Sequence, residues 1–139
     1  MIIIEGSDAV GKTSTVERLK EESIVCLDRS KDMFSKYMLF EYSLEYRAKK
    51  YNEYLKNNDV KVIFLVNNDK EELERRVKSR KIIDEFDLKA YEYNKLYKET
   101  FDYMKENNML EDKLFLVDVT NLNLDEQVKK VHDLIVCLV

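Results

Sequence analysis

The sequence predicts an α/β fold in which a mostly parallel sheet of about four strands lies between two layers of helices. Short apolar runs of the kind that form buried parallel strands recur at residues 1–5, 23–28, 61–66 and 113–118. Longer amphipathic segments alternate with these runs. Right-handed connections between such strands would place their carboxyl ends along one edge of the sheet.

Each amphipathic segment predicts a helix from the spacing of its apolar residues or from a capping residue. A first helix is expected at residues 13–22. Asp69, followed by Glu72 three residues later, predicts the start of a third helix. The other helices are expected at about residues 32–57, 88–107 and 124–138, the last with an apolar face formed by Val128, Val131 and Ile135.

Size and composition indicate one domain that spans residues 1–139. The chain contains no apolar run long enough to cross a membrane, and its net charge of −4 argues against a broad nucleic-acid-binding surface. Cys26 and Cys137 both lie in apolar stretches, which predicts buried free thiols rather than a disulfide. A cytoplasmic protein is therefore expected.

The chain has two glycines, Gly6 and Gly11, and both fall in the short segment 6–13. This segment matches the phosphate-binding loop, or P-loop, G-x-x-x-x-G-K-[ST]. Such a loop turns successive N–H groups inward around a polyphosphate, and glycine permits the φ values that this requires. Lys12 is expected to reach the β- and γ-phosphates of a nucleoside triphosphate, and Thr13 to ligate Mg²⁺. The predicted nucleotide contacts are Gly6, Ser7, Asp8, Ala9, Val10, Gly11, Lys12, Thr13 and Ser14.

A carboxylate and an arginine follow the second predicted strand, as Asp28-Arg29-Ser30. At the edge that carries the phosphate loop, Asp28 could hold Mg²⁺ through water, and Arg29 could clamp an acceptor or a transferring phosphoryl group. The alternative is a helix-capping Asp beside a surface Arg. Residues 118–121 end the last strand at the same edge, where they could form a loop around an adenine ring or an ordinary strand-to-helix turn.

Basic residues crowd the end of the third predicted helix: Arg75, Arg76, Lys78, Arg80 and Lys81. Arg76 and Arg80 lie one helical turn apart on one face, so they could close together over a polyphosphate. A mobile arginine lid would neutralise charge during phosphoryl transfer. The alternative is an exposed charged helix with intrahelical ion pairs, Glu71–Arg75 and Glu72–Arg76.

Residues 4–13, Ile-Glu-Gly-Ser-Asp-Ala-Val-Gly-Lys-Thr, resemble the phosphate loop of thymidylate kinases, in which an acidic residue commonly occupies the position of Asp8. In that family a strand ends in Asp-Arg, as Asp28-Arg29 does here. Residues 62–80 look like the family's fourth strand and arginine lid. The chain resembles a shortened form of these deoxynucleoside monophosphate kinases, because most of the segment that precedes the Asp-Arg strand is missing.

The resemblance implies ATP and Mg²⁺ as cofactors and transfer of the γ-phosphoryl group to a nucleotide or nucleoside. By position, it implies Asp8 near the acceptor sugar and Asp28 and Arg29 at the metal and phosphates. It implies Arg76 and Arg80 in the lid. The missing segment carries groups that grip the acceptor in thymidylate kinases, so a homodimer that completes the site stays an open alternative.

The leading prediction is therefore a P-loop kinase, a phosphotransferase that acts on a nucleotide or nucleoside. The predicted catalytic residues are Lys12, Asp28, Arg29, Arg76 and Arg80, and the predicted metal ligands are Thr13 and Asp28. Two alternatives stay open. One is transfer to another hydroxyl, such as a polynucleotide 5′ end or a small metabolite, and the other is nucleotide binding without efficient catalysis. The expected partners are ATP and a small phosphate or hydroxyl acceptor.

Overall fold

The computed structural model describes residues 1–7, 10–28, 41–79, 89–109 and 112–138. Within these ranges four strands form one parallel sheet: β1 (Ile2–Gly6), β2 (Leu27–Asp28), β3 (Lys61–Val66) and β4 (Leu114–Asp118). The strand order is β2-β1-β3-β4, so the strand that leads into the phosphate loop is central. The register aligns Ile4 with Asp28 on one side and with Ile63 on the other. The predicted parallel sheet is confirmed.

Five helices in the described part of the chain flank this sheet: α1 (Lys12–Glu21), α2 (Leu44–Asn57), α3 (Lys70–Lys78), α4 (Ala90–Glu106) and α5 (Leu124–Leu138). One apolar cluster joins α2 and α4 to the sheet, and a second joins α1 and α5 to it. The connection from β1 to β2 runs toward one edge of the sheet, whereas the connections from β2 to β3 and from β3 to β4 run toward the other edge. Right-handed connections that run in opposite directions cover opposite faces, which gives the three-layer α/β/α arrangement.

Side chains of β3 alternate between the two apolar clusters, because successive residues of a strand point to opposite faces. Val62, Phe64 and Val66 belong to the α2/α4 side, and Ile63 and Leu65 belong to the α1/α5 side. The Phe64 ring packs edge-to-face against Tyr51 and Tyr97, with centroid distances of 5.3 and 5.1 Å. This aromatic group joins the sheet to both helices of that layer.

Phe64→Ala should lower the free energy of unfolding by about 3–5 kcal/mol, because it removes a fully buried ring and leaves a cavity between two tyrosines. Urea denaturation monitored by circular dichroism measures this loss. Val25→Ala, at a side chain that is 73% exposed, is the matched control and should change stability little. A loss below about 1 kcal/mol for Phe64→Ala would contradict close packing of this ring against Tyr51 and Tyr97.

The second strand is shorter than predicted, since β2 contains Leu27 and Asp28 rather than residues 23–28. The end of α1 explains the difference. Ser23 adopts a left-handed conformation with φ +65°, and its N–H donates to the carbonyl of Lys20. The N–H of Ile24 donates to the carbonyl of Leu19. This pair of bonds is a Schellman cap, which occupies backbone donors that the predicted strand would have used.

The prediction of one continuous second helix over about residues 32–57 is wrong, because the chain is not helical at Ser43. The first part of that predicted helix, within residues 29–40, lies outside the described residues. Ser43 has extended backbone, and its Oγ accepts a hydrogen bond of 3.2 Å from the N–H of Tyr46. A serine in this role starts a new helix, so α2 begins at Leu44. The predicted cap at Asp69 is confirmed, because its carboxylate accepts from the N–H of Glu72 at 3.0 Å.

Both cysteines are free thiols, but they differ in exposure. Cys26 is buried, as predicted, and burial raises the pKa of its thiol. The prediction is wrong for Cys137, which is exposed because it follows the buried Ile135 by two residues and so faces away from the sheet. Among the helices that the structure describes, none has the length and apolar character needed to cross a membrane.

Candidate functional site

The predicted phosphate loop connects the carboxyl end of β1 to the first residue of α1. Gly6 is the last residue of β1, and Gly11 is the N-cap of α1, with φ +85° and ψ 19°. Ser7, Val10 and Ser14 are described, whereas the predicted nucleotide contacts Asp8 and Ala9 lie outside the described residues. A strand, a glycine-bounded loop and a helix N-terminus therefore follow one another, as anion binding by such loops requires.

Both glycines occupy positions where a side chain has no room. A Cβ on Gly6 would lie 2.8 Å from the carbonyl oxygen of Leu65 in β3 and 2.9 Å from a methyl group of Val10. A Cβ on Gly11 would lie 2.7 Å from Nε2 of Gln127, and the positive φ there already disfavours any other residue. Close packing at Gly6 and backbone conformation at Gly11 thus account for the only two glycines of the chain.

Lys12, Thr13 and Asp28 meet beside this loop. The Thr13 hydroxyl donates to Oδ2 of Asp28 at 2.7 Å, and Nζ of Lys12 lies 4.0 Å from Oδ1 of the same carboxylate. Nζ of Lys12 also donates to the carbonyl oxygen of Gly6 at 3.2 Å. The parallel pairing of β1 with β2 brings Asp28 to this position, so three predicted site residues lie together.

The polar groups around the loop have the chemistry that a magnesium-bound polyphosphate requires. A hydroxyl and a carboxylate are hard oxygen ligands, which Mg²⁺ prefers. Among the described residues no group of three His, Cys, Asp or Glu side chains is placed to hold a metal. Phosphate oxygens and water would supply the remaining ligands, as is usual for Mg²⁺. The buried Ser7 hydroxyl, for which the described residues offer no hydrogen-bond partner, is a further polar group within the loop.

Buried polar residues that the sequence does not predict lie near the same edge of the sheet, between β1, β3 and α4. The Tyr97 hydroxyl donates to Glu5 at 3.2 Å, and Glu5 is 1% exposed. Asn67, directly after β3, donates its N–H to the side-chain oxygen of Asn94 at 2.7 Å. Asn67 Nδ2 is buried and has no partner among the described residues. Only an Asn directly after a buried strand signals this group in the sequence.

The predicted arginine lid is described in part. α3 packs through Leu73 and Val77 on the first turn of α4, and α4 reaches this edge of the sheet at Asn94. Glu72 accepts hydrogen bonds from both Arg75 and Arg76, the latter at 2.8 Å. These contacts, that of Arg75 above all, lower the pKa of the Glu72 carboxyl, and Arg75 has a raised pKa in return.

The alternative to an arginine lid is that α3 is a charged helix with internal ion pairs. The predicted pair Glu72–Arg76 is present, and Arg75 also pairs with Glu72. Arg80, the second predicted lid residue, lies outside the described residues, as does Arg29 after β2.

The segment 118–121, predicted to surround an adenine ring, forms a tight turn after β4. Oδ1 of Asp118 accepts from the N–H of Thr120 at 2.9 Å, and Oδ2 accepts from the side chain of Asn68 at 3.2 Å. Asn121 has a positive φ of 62°. Asp118 therefore stabilises the turn and ties it to the residues that follow β3.

A scan of the sequence against protein-family models finds no match, and a search of curated proteins finds no similar sequence.

Proposed function

We propose that this protein is a P-loop kinase that transfers the γ-phosphoryl group of ATP to a nucleotide or nucleoside. The observation that supports this most is the convergence of Lys12, Thr13 and Asp28 at a loop bounded by two glycines. The nearly buried Lys12 ammonium lies between the Gly6 carbonyl and the Asp28 carboxylate at the N-terminus of α1, where a polyphosphate would place its negative charge.

The roles of these side chains follow from their contacts. Lys12 is 9% exposed, so its charge is poorly screened and would act strongly on phosphate oxygens. Its present bond to the Gly6 carbonyl holds the ammonium group at the loop. Thr13 and Asp28 would ligate Mg²⁺ directly or through water. Bound MgATP would supply the transferable phosphoryl group and neutralise part of its charge.

Arginine side chains would complete the charge balance. Phosphoryl transfer spreads negative charge over the equatorial oxygens, and cations placed around them stabilise the transition state. Arg76 is the described candidate, with Arg29 and Arg80 as further candidates from the sequence. A phosphate acceptor is already anionic at about pH 7 and needs no general base, whereas a hydroxyl acceptor would rely on Asp28 or Asp8.

A panel of acceptors tests the proposal. Purified protein, Mg²⁺ and ATP labelled at the γ-phosphate are incubated with nucleoside monophosphates, nucleosides, a 5′-hydroxyl oligonucleotide and small polyols. We expect label in a nucleotide product. Label only in the oligonucleotide or a polyol would favour a kinase for another hydroxyl. ATP binding without transfer to any acceptor would favour a binding protein, and the absence of MgATP binding would overturn the proposal.

Arg76→Ala should lower kcat about tenfold or more while KM for ATP stays within about twofold, because a lid arginine acts mainly on the transition state. Arg75→Ala is the matched control, since it removes the same charge from the same helix and the same partner, Glu72. Steady-state kinetics of both variants measure the difference. Equal losses in the two variants would contradict a special role for Arg76 and favour a charged surface helix.

A further inference from the structure

Gln127, on α5, contacts the phosphate loop from behind. The side chain is 2% exposed, and its Nε2 atom lies 2.8 Å from Oγ1 of Thr15 and 3.0 Å from the carbonyl oxygen of Val10. The carbonyl oxygen of Gly11 lies 3.4 Å from the same nitrogen. A residue 117 positions away in sequence from Val10 thus makes several contacts with the loop and the helix that follows it.

The chemistry of these neighbours fixes which way the Gln127 amide is turned. Carbonyl oxygens only accept hydrogen bonds, so the group that faces Val10 and Gly11 must be the amino group of the amide. That group has two hydrogens, which serve the two nearest oxygens. The Gly11 carbonyl makes a third and longer approach.

The planar geometry of the peptide bond relates these carbonyl contacts to the direction of the loop N–H groups. In a trans peptide the carbonyl of one residue and the N–H of the next point in opposite directions. Holding the Val10 carbonyl toward α5 therefore turns the N–H of Gly11 away from α5, whereas the Gly11 carbonyl accepts a helical hydrogen bond of 3.0 Å from the N–H of Thr15. In a phosphate loop, the inward N–H groups are those that bind the polyphosphate.

We infer that Gln127 is a positioning residue that sets the Gly11 amide for polyphosphate binding, an inference that rests on the function proposed above. Other contacts fix the position of Gln127 itself. Asn123 and Glu126 form a reciprocal capping box of 2.8 and 3.1 Å at the start of α5. Nζ of Lys130 donates to the carbonyl of Asp118 at 2.8 Å. Lys130, which lies one turn after Gln127, thus ties α5 to the end of β4.

Gln127→Met tests this role, because methionine keeps the length of the side chain and removes the donors. Calorimetry with Mg²⁺ and inorganic tripolyphosphate, a ligand without base or sugar, should show about tenfold weaker binding than the wild-type protein. The amide chemical shifts of Gly11, followed by NMR without ligand, should change, because the Val10 carbonyl of the same peptide loses its hydrogen-bond donor. Val131→Ala, a fully buried change one turn later in α5, is the control for lost stability and should leave both measurements unchanged.

A second variant keeps the test decisive if Gln127→Met does not fold. Gln127→Glu has no donor when ionised and regains one when protonated, so its binding deficit relative to wild type should shrink as pH falls. Wild-type binding of tripolyphosphate together with unchanged affinity in the Gln127 variant that folds would overturn the role of Gln127 alone. If the wild-type protein bound no tripolyphosphate, the proposed function would fail, and this role with it.

Discussion

Lys12→Ala should abolish measurable phosphoryl transfer, with a loss of at least about 100-fold in kcat/KM, and should weaken MgATP binding. The ammonium group is nearly buried, and it lies between the carbonyl of Gly6 and the carboxylate of Asp28. Among the described residues, Lys12 is the cation that lies beside the Asp28 carboxylate, so the substitution removes that charge from the site. Because solvent exposure is low at this position, the electrostatic attraction between the Lys12 ammonium and a phosphate group is stronger there than at the surface.

Lys20→Ala is the matched control for this change, because Lys20 lies on the same helix, carries the same charge and is exposed. Transfer assays and calorimetry with MgATP, on variants shown by circular dichroism to be folded, measure the two effects. Lys20→Ala should retain wild-type activity. A Lys12→Ala variant that retains transfer within about tenfold of wild type would contradict the proposed role of the loop.

Much of the fold was predictable because its signals are local. The central strands β1 and β3 contain the apolar runs 2–4 and 62–66, and such runs are typical of buried strands in the middle of a parallel sheet. The Asp69 cap depends on residues three positions apart. The closeness of Thr13 and Asp28 also followed from topology, since parallel strands place their carboxyl ends at one edge.

The features that could not be predicted depend on pairs of residues far apart in sequence or on details of helix ends. The Schellman cap after α1 shortened β2, because nothing in residues 23–28 shows that two of their N–H groups are already bonded. Gln127 resembles any polar residue of an amphipathic helix until α5 is placed against the loop. The same holds for Asn67 and Asn94, whose contact requires the packing of α4 against β3.

The second large effect is expected at Gly11, where Gly11→Ala should lower the free energy of unfolding by about 2 kcal/mol or more and weaken tripolyphosphate binding. Two causes act together. The φ of +85° is disfavoured for alanine, and its Cβ would lie 2.7 Å from Nε2 of Gln127. Gln127 cannot withdraw without giving up its bonds to Val10 and Thr15.

The double variant Gly11→Ala/Gln127→Ala separates the two causes by urea denaturation. Gln127→Ala opens space for the new methyl group but leaves the backbone strain. The Gly11→Ala change should therefore cost less in the Gln127→Ala background than in the wild type, though not nothing. An equal cost in both backgrounds would contradict the steric contact, and no cost in the Gln127→Ala background would contradict the backbone strain.

Ser23→Gly provides the reciprocal control for the backbone argument. Ser23 has a φ of +65° in the cap of α1, so glycine should relieve strain there and raise the free energy of unfolding by about 1 kcal/mol. The same conformational rule thus predicts that Ser23→Gly raises the free energy of unfolding and that Gly11→Ala lowers it. Destabilisation by Ser23→Gly together with a neutral Gly11→Ala would show that left-handed backbone conformation does not govern stability at either end of α1.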